Sequence, residues 1–113
     1  MSDTCLFCRI ARREIPATIV AESEAAVAFR DIDPQAPLHA LVIPKRHVAS
    51  LAGCDDAALV GELALLAARV AREAGYGDTG FRTVVNTGPD AGQSVAHLHL
   101  HVLAGRALHW PPG

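Results

Sequence analysis

The clearest alternation of polar and apolar positions lies near the carboxyl end, where three histidines alternate with large aliphatic residues over residues 97–103. A period of two is typical of a half-buried β-strand, whose successive side chains point to opposite faces of the sheet. The pattern predicts a strand over residues 95–103 in which His97, His99 and His101 share one face, with neighbours roughly 6–7 Å apart. The aliphatic residues of the run are expected to point into the core: Leu98, Leu100 and Val102.

Two stretches repeat apolar residues at helical spacing. Residues 4–14 are predicted to form a short amphipathic helix, with Thr4 as its N-cap and Pro16 preventing its continuation. The longest helical pattern runs from Asp55 to Ala74, with acidic residues at its start that suit the helix dipole. Apolar residues off its main stripe leave two readings open, a contact with a second copy or a surface favoured by helix propensity alone.

Four further segments are predicted as strands: residues 18–22, 25–30, 39–43 and 81–86. The third is almost wholly apolar, which is typical of a central strand. The whole pattern predicts one α+β domain over residues 1–113, with a five-stranded antiparallel sheet and its short and long helices on one side. The last residues, 105–113, are predicted to form an extended tail.

Composition narrows the class of protein. The chain has 113 residues, half of them apolar, and a net charge of -2, so no positive field favours nucleic-acid or membrane partners. No apolar run reaches membrane-spanning length, and the polar start lacks the parts of a signal peptide. Three cysteines, two of them spaced as Cys5-x-x-Cys8, indicate metal or redox chemistry in a reducing compartment. We therefore expect a cytoplasmic protein.

A polar loop with two glycines precedes the histidine run. Backbone N–H groups around Gly92, Gln93 and Ser94, with two polar side chains, can form a cradle for an anion. A neutral imidazole beside it, such as that of His99, is a good nucleophile toward phosphorus or an acyl carbon. A plain hairpin turn has a similar composition, so the loop favours a reactive site only in combination with the histidines.

Residues 97–103 resemble the signature of the histidine triad (HIT) family, and the similarity extends upstream to residues 31–37, 39–47, 85–86 and 92–94. The ending, residues 109–113, resembles the Hint branch of purine nucleoside phosphoramidases. The resemblance implies a HIT-like fold and hydrolysis of the P–N bond, or a related P–O bond, of purine nucleoside 5′-phosphoramidates. It also implies a homodimer in which the long helix and the fourth strand join two sheets into one of ten strands.

The resemblance assigns roles to the histidines. His99 attacks the α-phosphorus and forms a nucleotidyl-histidine, which water hydrolyses to the nucleoside monophosphate. His101 holds a phosphate oxygen, His97 supports the nucleophile, Ser94 helps to bind the phosphate and assists the leaving group, and His39 packs near them as a fourth histidine. The substrate-binding residues that it implies are Asp31 for the ribose, Asn86, Gly92, Gln93, Ser94, Val95, His99 and His101 for the phosphate, Leu6, Phe7, Ile10, Phe29, Ile32 and Leu41 for the base, and Trp110 from the tail.

Each of these residues also fits a simpler structural role. The apolar residues assigned to the purine base fit an ordinary hydrophobic core, which is the default for such side chains. Asp31 fits a turn former, Asn86 a strand-end cap and His39 a hydrogen-bonded core histidine.

A second constellation matches the zinc ligands of some bacterial HIT proteins: Cys5, Cys8, His47 and His97. Two thiolates and two imidazoles make a closed tetrahedral set, so the resemblance implies a structural Zn²⁺ at these four residues. The histidine mechanism that the resemblance implies requires no catalytic metal. Taken alone, the cysteine pair could equally be redox-active or idle. Cys54 lies outside the set and is expected to carry no chemistry.

Three other functions remain open on the sequence. One is a dinucleoside polyphosphate hydrolase of the same superfamily, against which the ending around Trp110 argues. Another is a metalloenzyme that uses the histidine row as ligands. The last is a non-catalytic, zinc-stabilised module that binds nucleotides.

Overall fold

A computed structural model describes residues 4–113, so the first three residues of the predicted domain lie outside the described residues. In chain order the elements are α1 (Leu6–Ala11), β1 (Ile19–Glu22), β2 (Ala26–Arg30), β3 (Leu38–Pro44), a 3₁₀ turn (Leu51–Gly53), α2 (Ala57–Glu73), β4 (Phe81–Val84) and β5 (Leu100–Ala104). The strands form one antiparallel sheet in the order β1-β2-β3-β5-β4. The predicted α+β class, strand number and helix types are confirmed.

The central strand β3 separates two apolar clusters, because every one of its residues is buried. On one face, Ala40 and Val42 pack with β5 and with the apolar stripe of α2. On the other face, Leu41 and Ile43 pack with Phe7 and the rest of the buried side of α1. The two helices therefore cover opposite faces of the sheet, and the prediction that both lie on one side is wrong. Strand alternation explains this arrangement, since adjacent β3 residues point to opposite faces and both sets are apolar.

The histidine strand is shorter than the period-two pattern predicts. Pairing with β3 begins at Leu100, which faces Val42, so His97 and His99 precede the strand. Continued in the same register, Leu98 would face Pro44, which has no N–H to donate to a ladder. The N–H of Leu98 instead donates to Val48 O at 2.6 Å. The aliphatic residues of the run still enter the core, as predicted: Leu98, Leu100 and Val102.

Several element ends also differ from the prediction. The N-cap of α1 is Cys5, whose Sγ accepts from the N–H of Cys8, and not Thr4. Helix α2 begins after Asp56, whose carboxylate caps it by accepting from the N–H of Leu59 at 3.0 Å. Strand β4 ends at Val84, two residues before its predicted end. Over residues 4–113, no helix is both long enough and apolar enough to cross a membrane.

Candidate active site and metal centre

A cavity of about 270 Å³ opens on the face of the sheet that α1 covers. We call it the triad cavity, because two of the three histidines of the run, His99 and His101, line it. Its other walls come from α1, the segment between α1 and β1, the region from β2 to β3 and the segment before β5: Leu6, Phe7, Ala17, Phe29, Arg30, Asp31, Ile32, Leu41, Ser94 and Val95. Of the described residues that were predicted to bind substrate, most therefore lie around one space.

A hydrogen bond fixes the orientation of the His99 ring at the cavity and places a proton on one of its two nitrogens. Its Nδ1 lies 2.7 Å from the main-chain carbonyl oxygen of His97, which can only accept, so Nδ1 carries the proton. The neutral ring then keeps its lone pair on Nε2. Phe7 packs edge-on against this ring, with centroids 5.2 Å apart, and leaves the side chain only 4% exposed. This arrangement makes Nε2 the nitrogen of His99 that can offer a lone pair, in a ring that is shielded from water.

His101 is backed by His39. Nε2 of His39 lies 2.9 Å from Nδ1 of His101 and 3.4 Å from a carboxylate oxygen of Asp31. The N–H of Gln35 donates to Nδ1 of His39 at 3.0 Å, so that nitrogen is unprotonated and Nε2 carries the proton. Because two N–H groups cannot face each other at 2.9 Å, Nδ1 of His101 is the acceptor and its Nε2 carries the proton. Burial, with the neighbouring His99 and His39, lowers the pKa of His101.

Only some of the residues that were predicted to bind the phosphate line the triad cavity. Ser94 and Val95 line the triad cavity, whereas Gly92 and Asn86 do not. The side chain of Gln93 is committed to the loop itself: its Oε1 accepts from the N–H of Gly88, and its Nε2 donates to two carbonyl oxygens. These contacts brace the turn and leave the Gln93 amide without a free donor for a ligand.

The residues that were predicted to bind the purine base also line the cavity only in part. Phe7 and Phe29 meet edge to face at 5.5 Å on one wall, and Leu41 is buried beside them. Ile10 belongs to the apolar cluster beneath α1 and does not line the cavity. Ile32 lines the rim but is fully exposed in the single chain. Trp110 does not line the cavity either, and its side chain is 82% exposed.

His97, the remaining histidine of the run, belongs to a second cluster. Its Nδ1 lies 3.3 Å from Cys5 Sγ and 3.5 Å from Cys8 Sγ, and Nδ1 of His47 lies 3.2 Å from Cys8 Sγ. The four ligand atoms all lie within 4.8 Å of one another. We call Cys5, Cys8, His47 and His97 the cysteine–histidine cluster. It explains why His97 does not line the triad cavity with the other two histidines.

The chemistry of the cysteine–histidine cluster fits a metal ion. Nε2 of His97 lies 2.9 Å from the carbonyl oxygen of Pro44, so Nε2 carries the proton and the Nδ1 lone pair faces the thiols. Burial lowers the pKa of His97, which keeps it neutral as ligation requires. Burial and the adjacent Cys5 raise the pKa of the Cys8 thiol, and a soft divalent cation would reverse this by stabilising the thiolate.

A second group with metal-ligating atoms, Asp31, His39 and His101, does not fit an ion in the same way. The N–H of Gln35 occupies Nδ1 of His39, which leaves the proton on Nε2, the nitrogen that faces the other two residues. A protonated nitrogen has no lone pair for a metal. The contact between the two histidines is therefore a hydrogen bond, and the group fits a role in proton placement.

Three groups that shape the site had no signal in the sequence. The carbonyl oxygen of Pro44 and the backbone N–H of Gln35 are main-chain groups that nearly every residue type has, so residue type could not reveal them. Ala17 lines the cavity from the segment between α1 and β1, where a small side chain has no chemical signature. Only the register of the folded chain places these groups beside the histidines.

Comparison with known proteins agrees with this geometry. Residues 12–108 match the model of the HIT domain family. An uncharacterized HIT-like protein of Synechococcus elongatus is 52% identical and one of Synechocystis is 50% identical, each over the full length of both chains. A HIT family hydrolase from Legionella pneumophila superposes with a TM-score of 0.94 at 46% identity, covering 97% of this chain and all of the other.

A histidine triad protein from Clostridium difficile gives a TM-score of 0.92 at 43% identity and covers 96% of both chains. Sequence and structural similarity thus extend over nearly the whole chain and include structures described as hydrolases. The chain belongs to the HIT family.

Proposed function

We propose that this protein is a HIT-family hydrolase that cleaves the P–N bond, or a related P–O bond, of purine nucleoside 5′-phosphoramidates. The observation that carries the proposal is the 2.7 Å hydrogen bond from His99 Nδ1 to the His97 carbonyl, in a ring that lines the triad cavity. It leaves Nε2 of His99 unprotonated, and this is the atom that we assign as the nucleophile toward phosphorus.

The proposed reaction has two displacements at phosphorus. The Nε2 lone pair of His99 forms a bond to the α-phosphorus while the P–N bond breaks, and the leaving nitrogen takes a proton from solvent through the hydroxyl of Ser94, which also lines the cavity. Water then attacks the same phosphorus, the bond to Nε2 breaks, one proton of the attacking water returns to solvent, and the nucleoside monophosphate is released. The protonated Nε2 of His101 supplies a donor for a phosphoryl oxygen.

The remaining roles are those that the family resemblance implies, and the position of these residues around the triad cavity supports them. Asp31 is assigned to the ribose hydroxyls and the wall of Phe7, Phe29 and Leu41 to the purine base. His97 and His39 are positioning residues, because each acts through a hydrogen bond to a histidine of the cavity. We assign a structural Zn²⁺ to the cysteine–histidine cluster, where it would tie α1 to the chain before β5.

The quaternary structure and location are part of the same proposal. We infer a homodimer, for which the exposed face of α2 and the open edge at β4 are the available surfaces, with Trp110 reaching toward the partner's cavity. We place the protein in the cytoplasm, where thiols of a Cys-x-x-Cys pair stay reduced for metal binding.

The decisive experiment traps the intermediate. We expect rapid quenching of a reaction with adenosine 5′-phosphoramidate, followed by peptide mass spectrometry, to find a nucleotide bonded to His99. His99→Ala is expected to lower kcat/KM by roughly 10³-fold or more, because the nucleophile is lost. His109→Ala is the matched control, since this histidine lies in the exposed tail and does not line the cavity.

Retention of most activity by His99→Ala would exclude the covalent mechanism. Faster turnover of a diadenosine polyphosphate than of the phosphoramidate would favour the dinucleoside polyphosphate hydrolase instead. Tight binding of a nucleotide with no turnover of either substrate would favour a binding module.

A further inference from the structure

The main chain of Gln35 connects two parts of the molecule that are far apart in sequence. Its N–H donates to Nδ1 of His39 at 3.0 Å, and its carbonyl oxygen accepts from Nε of Arg106 at 2.9 Å. Arg106 comes two residues after β5, and its Nη1 also donates to the carbonyl oxygen of Ala107. One residue in the segment between β2 and β3 thus joins a guanidinium at the start of the tail to the histidine behind the triad cavity.

A steric contact fixes the same two segments against each other. A Cβ added to Gly105 would lie 2.7 Å from Cβ of Pro37 and 3.1 Å from the hydroxyl oxygen of Tyr76. Gly105 also has a φ of 97°, a conformation that favours glycine. The chain after β5 therefore lies in close contact with Pro37, two residues from the Gln35 carbonyl that Arg106 holds. The close contact between Gly105 and Pro37 and the hydrogen bond from Arg106 together hold the main chain of Gln35, whose N–H meets His39.

That N–H acts together with the carboxylate of Asp31, 3.4 Å from Nε2 of His39, to set which nitrogens of the two histidine rings carry a proton. With the Gln35 N–H on Nδ1, His39 keeps its proton on Nε2 and donates to Nδ1 of His101, 2.9 Å away. His101 must then carry its own proton on Nε2, in a side chain that lines the triad cavity. Without the Gln35 N–H, only the carboxylate of Asp31, 3.4 Å from Nε2 of His39, still favours the proton on that nitrogen, and the tautomer with the proton on Nδ1 becomes accessible. The opposite pattern would leave His101 with a lone pair on Nε2, which repels an anionic phosphoryl group.

We propose that Arg106 is a positioning residue that acts through the Gln35 main chain to fix His39 and His101 as Nε2-protonated tautomers. The chain of contacts runs from a side chain at the protein surface to a donor group in the cavity. Only its last step, the meeting of the His101 N–H with a phosphoryl oxygen, rests on the proposed function. The tautomers themselves are a property of the free protein and are measurable without substrate.

The first experiment uses the full chain labelled with ¹⁵N and requires no activity. Long-range ¹H–¹⁵N spectra report which nitrogen of each histidine carries the proton, and couplings across hydrogen bonds link the nitrogens of Gln35 and His39. We expect the wild-type protein to show Nε2-protonated His39 and His101 and a measurable coupling between Gln35 N and His39 Nδ1. Arg106→Met, which keeps the aliphatic stem but removes the donors, is expected to lose this coupling and to give mixed tautomers at His101.

Two further variants make the result specific. Arg82→Met removes a guanidinium that also donates to a tail carbonyl, that of His109, at 3.0 Å, but forms no hydrogen bond with residues 31–37. We expect it to leave the couplings and the tautomers unchanged. Arg106→Lys, which keeps a cation with a donor, is expected to recover part of the signal. Wild-type couplings and an unchanged His101 in Arg106→Met would overturn the proposal, as would an Nδ1-protonated His101 in the wild-type protein.

The second experiment measures the consequence for phosphoramidate hydrolysis. We expect Arg106→Met to lower kcat about 10-fold with KM within about twofold of wild type, because the donor to the phosphoryl group is lost in part of the molecules. An equal fall in kcat for Arg82→Met would contradict a specific role of Arg106. If the wild-type protein hydrolyses no phosphoramidate, the proposed function fails while the spectra still decide the tautomers.

Discussion

At the scale of single residues, His97 links the two functional clusters. Its side chain is fully buried and both ring nitrogens are engaged: Nε2 with the Pro44 carbonyl and Nδ1 with Cys5 and Cys8. Its carbonyl oxygen holds the ring of His99. A displacement of His97 would therefore move the ring of His99, the proposed nucleophile, although the two side chains face different clusters. The cysteine–histidine cluster is in this way coupled to the orientation of His99.

We expect Zn²⁺ to stabilise the fold through this cluster. Free zinc at 1,000 times its dissociation constant should add about 4 kcal/mol to the free energy of unfolding, because the four ligands come together only in the folded chain. Thermal unfolding with and without a chelator, together with the measured zinc content, checks this. Cys8→Ala should abolish the zinc-dependent shift, and Cys54→Ala, outside the cluster, should preserve it. Equal zinc content in Cys8→Ala and wild type would contradict the assignment.

The candidate site could be predicted as far as side-chain chemistry carries a signal. Histidine alternation and the Cys-x-x-Cys pair pointed to the residues that the structure gathers into two clusters. Alternation alone did not reveal that His97 turns away from His99 and His101, because it predicts one common face for all three, whereas the family resemblance had already assigned His97 to the metal set. It also could not reveal the main-chain groups of Gln35 and Pro44 that set the protonation of the rings.

At the scale of secondary structure, β3 and its terminal proline set the limits of the site. Pairing with β5 ends where Pro44 removes a donor, and the freed chain before Leu100 carries His97 and His99. A hydrophobic pattern shows an extended segment but not whether it is paired, so the strand was predicted too long. The prediction that both helices lie on one side of the sheet was wrong for a similar reason. An amphipathic stripe shows that a helix packs on the sheet but does not specify which of two apolar faces it covers.

The cap of α2 gives a prediction at this scale. Asp56 accepts from the N–H of Leu59, which holds the pKa of its carboxyl below the usual 3.8, with Arg46 adding to the effect. We expect Asp56→Ala to raise the equilibrium constant of unfolding roughly fivefold at neutral pH, measured in urea. Asp55→Ala is the matched control, since the neighbouring aspartate is not the N-cap.

The pH dependence of this difference follows from the direction of the pKa shift. Because the folded carboxyl has the lower pKa, its contribution is complete above the unfolded value of 3.8 and is lost as pH falls through the folded pKa. The gap between wild type and Asp56→Ala should therefore narrow in acid. A gap that stays constant down to pH 2 would show that the carboxylate charge does not carry the effect.

At the scale of the whole molecule, helix α2 and the edge strand β4 both expose apolar side chains. Leu65 on α2 is 74% exposed, while the opposite side of this helix is buried in the core. Strand β4 is an edge strand with Phe81 and Thr83 exposed, and an edge presents unpaired N–H and C=O groups to another chain. The proposed homodimer would cover both surfaces, and Trp110, also exposed, lies near the carboxyl end of the same chain.

We expect sedimentation equilibrium at micromolar concentration to give twice the monomer mass of 11.9 kDa. Leu65→Glu should weaken the dimer at least about 10-fold, because an unpaired carboxylate is costly to bury in an interface. Leu51→Glu tests the same change at a leucine that is 40% exposed but lies outside α2 and β4, and it should leave the mass unchanged.

A monomeric wild-type protein at these concentrations would contradict the dimer, and a Leu65→Glu dimer of undiminished affinity would place the interface elsewhere. Because Leu65 does not line the triad cavity, any loss of hydrolysis that follows dissociation would show that the partner contributes to the site.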